Sequence, residues 1–114
     1  MVEKVTIYHN PRCTTSCNVL AMIEKGGAKP TIVEYLKTGW TKQQLKKLFA
    51  DAGLKPREAM RKKAAEDLGI SDKTSAAQIL DAMVEHPVLV ERPFVVSAKG
   101  TRLARPKEKV REIL

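Results

Sequence analysis

The chain has 114 residues, 43% of them hydrophobic and 30% charged. That balance is ordinary for a soluble globular domain with one core, and it excludes fibrous, low-complexity and disordered chains. The formal net charge is +8 but the aromatic share is only 4%, so the stacking platform of a nucleic-acid binder is not expected.

The basic residues are spread along the chain, and a small anionic substrate plus a solvated basic surface accounts for the excess. A membrane partner is not expected either, because no apolar run approaches the roughly 20 residues that span a bilayer. The opening Met1-Val2-Glu3-Lys4-Val5 enters a strand and lacks the apolar stretch of a signal peptide, so the expectation is a cytoplasmic protein, acting as a monomer. Two cysteines, Cys13 and Cys17, do not make a disulfide framework and point to redox or metal chemistry. His9 and His86 are the only histidines, too few to complete a structural zinc site, so no metal is expected.

In chain order, Lys4 to Tyr8 reads as a strand, and the pattern from Asn18 to Ile23 reads as a helix stopped by Gly26-Gly27. Thr31-Ile32-Val33-Glu34-Tyr35-Leu36 alternates and is β-branched, which predicts a second strand. Thr38-Gly39-Trp40 is a turn. Thr41, with Gln44 three residues on, caps a helix through Leu45, Leu48 and Phe49 to Gly53. Residues 55–86 are expected to be all-helical, with Pro56 at a first helical position and Ser75 opening a helix that carries Ile79, Leu80, Met83 and Val84. His86-Pro87 ends it. Phe94-Val95-Val96 predicts a buried strand, Lys99-Gly100-Thr101 a hairpin turn into Arg102-Leu103-Ala104, and Pro106 the start of a last helix with Val110, Ile113 and Leu114.

The resulting order is the thioredoxin arrangement, a β-α-β half followed by a hairpin and a helix, with a helical insertion of about 55–86 in a single domain of residues 1–114. The expected fold is α/β and thioredoxin-like: a small mixed four-stranded sheet flanked by helices. That topology places an active thiol after the first strand, where Cys13 lies. A cysteine between a strand and the first helical turn meets unpaired N–H groups and the positive end of the helix dipole. Such settings lower a thiol pKa to roughly 3.5–7.5 and also suit a bound oxyanion. Arg12 and His9 lie close by in sequence. Cys13 is therefore the expected nucleophile.

The segments from Tyr8 to Ser16, Arg61-Lys62-Lys63, His86 to Pro93 and Gly100 to Pro106 resemble, in order and spacing, the glutaredoxin-linked arsenate reductase family. The resemblance covers nearly the whole chain. It implies reduction of arsenate to arsenite through a Cys13 thiolate adduct, with glutathione as co-substrate, glutaredoxin as partner and no bound cofactor. It also implies that Arg61, Arg92 and Arg105 hold the oxyanion, and it suggests a cis peptide between Arg92 and Pro93. Guanidinium forks suit a tetrahedral oxyanion because they donate paired hydrogen bonds. Where the family commonly has arginine, this chain has Cys17.

Other site residues follow from placement. His9 is a candidate to assist Cys13 electrostatically or to protonate leaving oxygen. Thr15 and Ser16 are candidates to hydrogen-bond the thiolate while capping the helix. Asn10 is expected to shape the turn, and His86 to be structural. Cys17 is a possible resolving thiol, which would make thioredoxin the recycling partner. Helix positions i and i+4 hold Cβ atoms about 5–6 Å apart, however, and a disulfide wants about 3.5–4.5 Å. Two other classes remain open: a thioredoxin-fold redox sensor that binds RNA polymerase, and a general thiol–disulfide oxidoreductase. The oxyanion arginines argue against the first, and the lack of Cys-x-x-Cys against the second.

Overall fold

In the computed structural model, residues 4–114 are described. The chain divides into two compact units, one of Met1–Thr38 with Arg92–Leu114 and one of Gly39–Glu91.

The first unit carries the sheet. Strands β1 (Thr6–Tyr8), β2 (Thr31–Val33), β3 (Phe94–Ser97) and β4 (Gly100–Leu103) lie in the order β2-β1-β3-β4. β1 runs parallel to β2 and antiparallel to β3, and β3 and β4 form a hairpin. This is the mixed four-stranded sheet that the sequence predicts. Helix α1 (Thr14–Lys25) makes the crossover between the parallel strands. Its Val19 and Ile23, four positions apart on one face, are fully buried. They pack with Val5, Ile7, Val95, Ala104, Val110 and Ile113 into one core. Burying each such side chain stabilises the fold by roughly 1.5–3 kcal/mol, so α1 is held by its apolar face.

Two elements of this unit differ from the sequence reading. The second strand stops at Val33 instead of running on to Leu36, and a single helical turn, α2 (Tyr35–Thr38), follows it. The Glu34 carbonyl accepts the N–H groups of Lys37 and Thr38, and Tyr35 is buried. Burial of that ring in a turn overrides its strand preference. The last helix is 3-10 over Lys107–Ile113. Its two buried residues, Val110 and Ile113, are three apart, which is the repeat of a 3-10 helix.

The second unit is built on α3 (Lys42–Ala52), α4 (Lys62–Asp67) and α5 (Ala76–Glu85). α3 and α5 begin with reciprocal capping boxes, Thr41 with Gln44 and Ser75 with Gln78. Gly53 ends α3 in the left-handed conformation, at φ 71°. Leu45, Leu48 and Phe49 are the buried residues of α3, and Ile79, Leu80 and Met83 those of α5. The stretch 55–86 is not wholly helical. Met60 and Val90 form an antiparallel bridge, flanked by Arg61 N–H to Leu89 O and Glu91 N–H to Ala59 O, each 2.8 Å. The compact unit is also wider than 55–86, because α3 belongs to it.

Candidate active site

The turn after β1 is fixed by its own polar groups. The His9 N–H donates to Val33 O at 2.8 Å, which carries the β1–β2 pairing one residue past the strand. The Asn10 side-chain oxygen accepts the Arg12 N–H at 3.0 Å, and the Asn10 carbonyl accepts the Cys13 N–H at 3.0 Å. This is the turn-shaping role expected of Asn10. Cys13 is the N-cap of α1, with extended backbone (φ −95°, ψ 118°), and its carbonyl accepts the Cys17 N–H at 3.0 Å.

Cys13 is only 8% exposed. Arg105 Nη1 lies 3.9 Å from its sulfur and also donates to the Arg92 carbonyl at 3.1 Å. Both Arg92-Pro93 and Arg105-Pro106 are cis peptides, the second of which the sequence did not suggest. Burial pushes the Cys13 thiol pKa up and is the largest single influence on it. The Ser16 backbone N–H, the Arg92 charge, and the hydrogen bond and charge of Arg105 act the other way and leave the pKa below its ordinary value. The Cys13 side chain makes no cap hydrogen bond, and the Ser16 N–H at the helix start favours the thiolate. The cations that lower the pKa are thus Arg92 and Arg105, both distant in sequence. Arg12, the sequence neighbour, has an exposed side chain.

Ser16 acts differently from the expectation. Its hydroxyl lies 2.6 Å from His9 Nδ1 and accepts the Asn10 N–H at 3.1 Å. Its backbone N–H, not its hydroxyl, serves the thiolate. All three side chains are buried, at 6% exposure for His9, 7% for Asn10 and 0% for Ser16. Ser16 Oγ, which accepts the Asn10 N–H, can donate its own proton to Nδ1, and that arrangement carries the His9 proton on Nε2. Burial lowers the His9 pKa, and the Glu34 carboxylate partly opposes that. His9 is therefore a neutral imidazole anchored by Ser16. Sequence reasoning missed both Ser16 as its partner and Glu34 as its charge neighbour, and spacing alone carries no signal for either.

Thr15 is half-buried at the second residue of α1. Cys17 is exposed, and its thiol donates to the Pro11 carbonyl at 3.2 Å. His86 is exposed and caps α5, with its N–H on Ala82 O and its carbonyl accepting the Leu89 N–H. Arg61 belongs to the helical unit, where it is the N-cap of α4. The first unit thus gathers Cys13, Arg92 and Arg105 in one cluster and His9, Asn10 and Ser16 in another. Among the described residues, no group of three or more His, Cys, Asp or Glu side chains is placed to hold a metal ion. No helix among them is long and apolar enough to cross a membrane.

A buried thiol at a helix start, its pKa lowered by two arginines, on a mixed four-stranded sheet has clear counterparts. The sequence model of the ArsC family matches residues 8–113. The arsenate reductase ArsI2 of Synechocystis is 54% identical over 113 residues, which cover 96% of this chain and 81% of that protein. The arsenate reductase of Escherichia coli is 47% identical over 116 residues, covering 99% of this chain and 82% of that protein. A solved arsenate reductase from Vibrio cholerae superposes with a TM-score of 0.94 at 39% identity and full coverage of both chains. Fold, site and sequence agree, and the chain belongs to the ArsC family.

Proposed function

We propose that the protein reduces arsenate to arsenite with Cys13 as the nucleophile and glutathione as the reductant. The observation that carries this reading is the Cys13 thiol at the start of α1, with its pKa lowered by Ser16, Arg92 and Arg105. A thiolate is the attacking form, and the same N–H groups and guanidiniums suit an oxyanion beside it.

The Cys13 thiolate attacks arsenic, and one arsenate oxygen leaves as water or hydroxide after gaining a proton. This gives a Cys13–arsenic(V) adduct. Arg92 and Arg105 hold the charge on the remaining oxygens. The resemblance of sequence gives Arg61 a share in that charge, and the place of Thr15 in the first turn of α1 makes it a candidate to hold the oxyanion. Glutathione thiolate then attacks the Cys13 sulfur. The sulfur–arsenic bonding pair passes to arsenic, which leaves as arsenic(III), and a Cys13–glutathione disulfide remains. A glutaredoxin thiolate attacks the glutathione sulfur of that disulfide and frees the Cys13 thiolate. His9, neutral and held by Ser16, is the candidate proton donor to leaving oxygen. No bound cofactor is needed. The reading has the protein act as a monomer in the cytoplasm, where thiols stay reduced.

Recycling by glutathione is favoured over resolution by Cys17. The Cys17 thiol is engaged with Pro11, and its N–H completes the first helical bond to Cys13. Forming a Cys13–Cys17 disulfide would require that first turn to open.

The test is arsenite production by the purified protein with arsenate, glutathione and glutaredoxin, run beside a thioredoxin system. The expected result is turnover with glutathione and glutaredoxin, lost on Cys13→Ser. Turnover with thioredoxin alone would transfer resolution to Cys17, and arsenite production by Cys13→Ser would overturn the scheme.

A further inference from the structure

Cys13 and Cys17 stand one helical turn apart at the start of α1, within the sheet-bearing unit. The Cys17 N–H donates to the Cys13 carbonyl at 3.0 Å, so that turn is closed. Side chains on a helix lean toward its N-terminus. The Cys17 thiol does so, reaching the Pro11 carbonyl at 3.2 Å, two residues before Cys13. A thiol is a weak donor, so this exposed bond is readily exchanged for a covalent one. Cys13 is the buried member of the pair and the one whose pKa lies below its ordinary value.

Positions i and i+4 hold Cβ atoms about 5–6 Å apart, beyond the roughly 3.5–4.5 Å of a disulfide. An atom inserted between the two sulfurs lengthens the link by one bond and removes that obstacle without opening the turn. Such an atom must be soft and must bind two thiolates side by side. Trivalent arsenic meets both conditions, and the reading above makes it the product.

Resting on that reading for the ligand's identity, we propose that Cys13 and Cys17 together bind arsenic(III) as a two-sulfur chelate. Two As–O bonds of arsenous acid break and two As–S bonds form. Each displaced hydroxyl leaves as water with one thiol proton, the third hydroxyl stays, and arsenic remains trivalent. The first bond forms at Cys13, where the thiolate is favoured. The second closes within the molecule, at an effective concentration of about millimolar or above. Chelation occupies the nucleophile, so product holds the protein until a competing thiol removes the arsenic.

The test is native mass analysis of the fully reduced protein titrated with sodium arsenite, without oxygen or added thiol. The expected result is one arsenic per chain with both cysteines protected from iodoacetamide, reversed by a small dithiol. Cys17→Ser should bind arsenite about a hundredfold more weakly, because the intramolecular second bond is lost. Equal affinity in the parent and Cys17→Ser, or an adduct that leaves Cys17 open to iodoacetamide, would overturn the chelate. A protein that chelates arsenite but makes none from arsenate would keep the site and overturn the reductase reading. Arsenite production without binding through Cys17 would do the reverse.

Discussion

Arg105 brings its Nη1 to 3.9 Å from the Cys13 sulfur although 92 positions separate them in the chain. The antiparallel sheet order makes the meeting possible: β3 runs against β1 and β4 against β3, so the end of β4 that leads to Arg105 lies at the same end of the sheet as the end of β1 that leads to Cys13. The same guanidinium is steadied by the Arg92 carbonyl, so its position is fixed before any substrate arrives. Removing it takes away both a hydrogen bond and a charge that favour the thiolate. Arg105→Ala should therefore raise the Cys13 pKa. Alkylation by iodoacetamide followed against pH reads this directly, and an unmoved profile would show that Arg105 does not act on the thiolate.

Ser16→Ala separates the two services of that residue. The buried hydroxyl holds His9 Nδ1 and the Asn10 N–H, and both lose a partner in the variant. A buried polar group left unsatisfied costs about 1–3 kcal/mol, and urea unfolding should show a loss of that size. The Cys13 pKa should stay near its parent value, because the backbone N–H that serves the thiolate remains. A large rise in that pKa with no change in stability would reverse this division of roles.

The strand-to-helix placement of Cys13 was readable because it is local: β-branched residues, a turn built by Asn10, then a helical period. The capping boxes at Thr41 and Ser75 were readable for the same reason, each set by residues three apart. The end of β2 was not, since Tyr35 alternates correctly for a strand and only its tertiary burial turns the chain. The 3-10 form of the last helix shows only in the spacing of Val110 and Ile113, which an α-helix also tolerates. The cations beside Cys13 are the instructive case. Local spacing points to Arg12, whereas the contacts come from Arg92 and Arg105, which motif resemblance suggested and periodicity alone could not.

His9 makes stability depend on acid. Its pKa is lowered in the fold, first by burial, so the folded state holds fewer protons than the unfolded one near the ordinary histidine range. The stability it contributes is full above the unfolded pKa of about 6.5 and is lost as pH falls through the lower folded value. The melting temperature of the parent should therefore fall relative to that of His9→Gln between about pH 7.5 and about pH 5, by a few degrees in a domain of this size. A constant difference across that range would mean that His9 is not held neutral by the fold.

Cys17→Ser tests whether the second thiol belongs to the chemistry. The Cys17 thiol donates to the Pro11 carbonyl, and a serine hydroxyl can make the same bond. Its exposure means the swap leaves little packing to lose, so the change in stability should stay within about 0.5 kcal/mol. Turnover supported by glutathione and glutaredoxin should remain within about twofold of the parent, because Cys13 reacts with the external thiol and Cys17 is spent on the turn. Mass analysis of Cys17→Ser stopped during turnover should find Cys13 carrying one glutathione. A tenfold or greater fall in rate, with an internal disulfide in the parent under the same conditions, would make Cys17 the resolving thiol. The first turn of α1 would then have to open in each cycle.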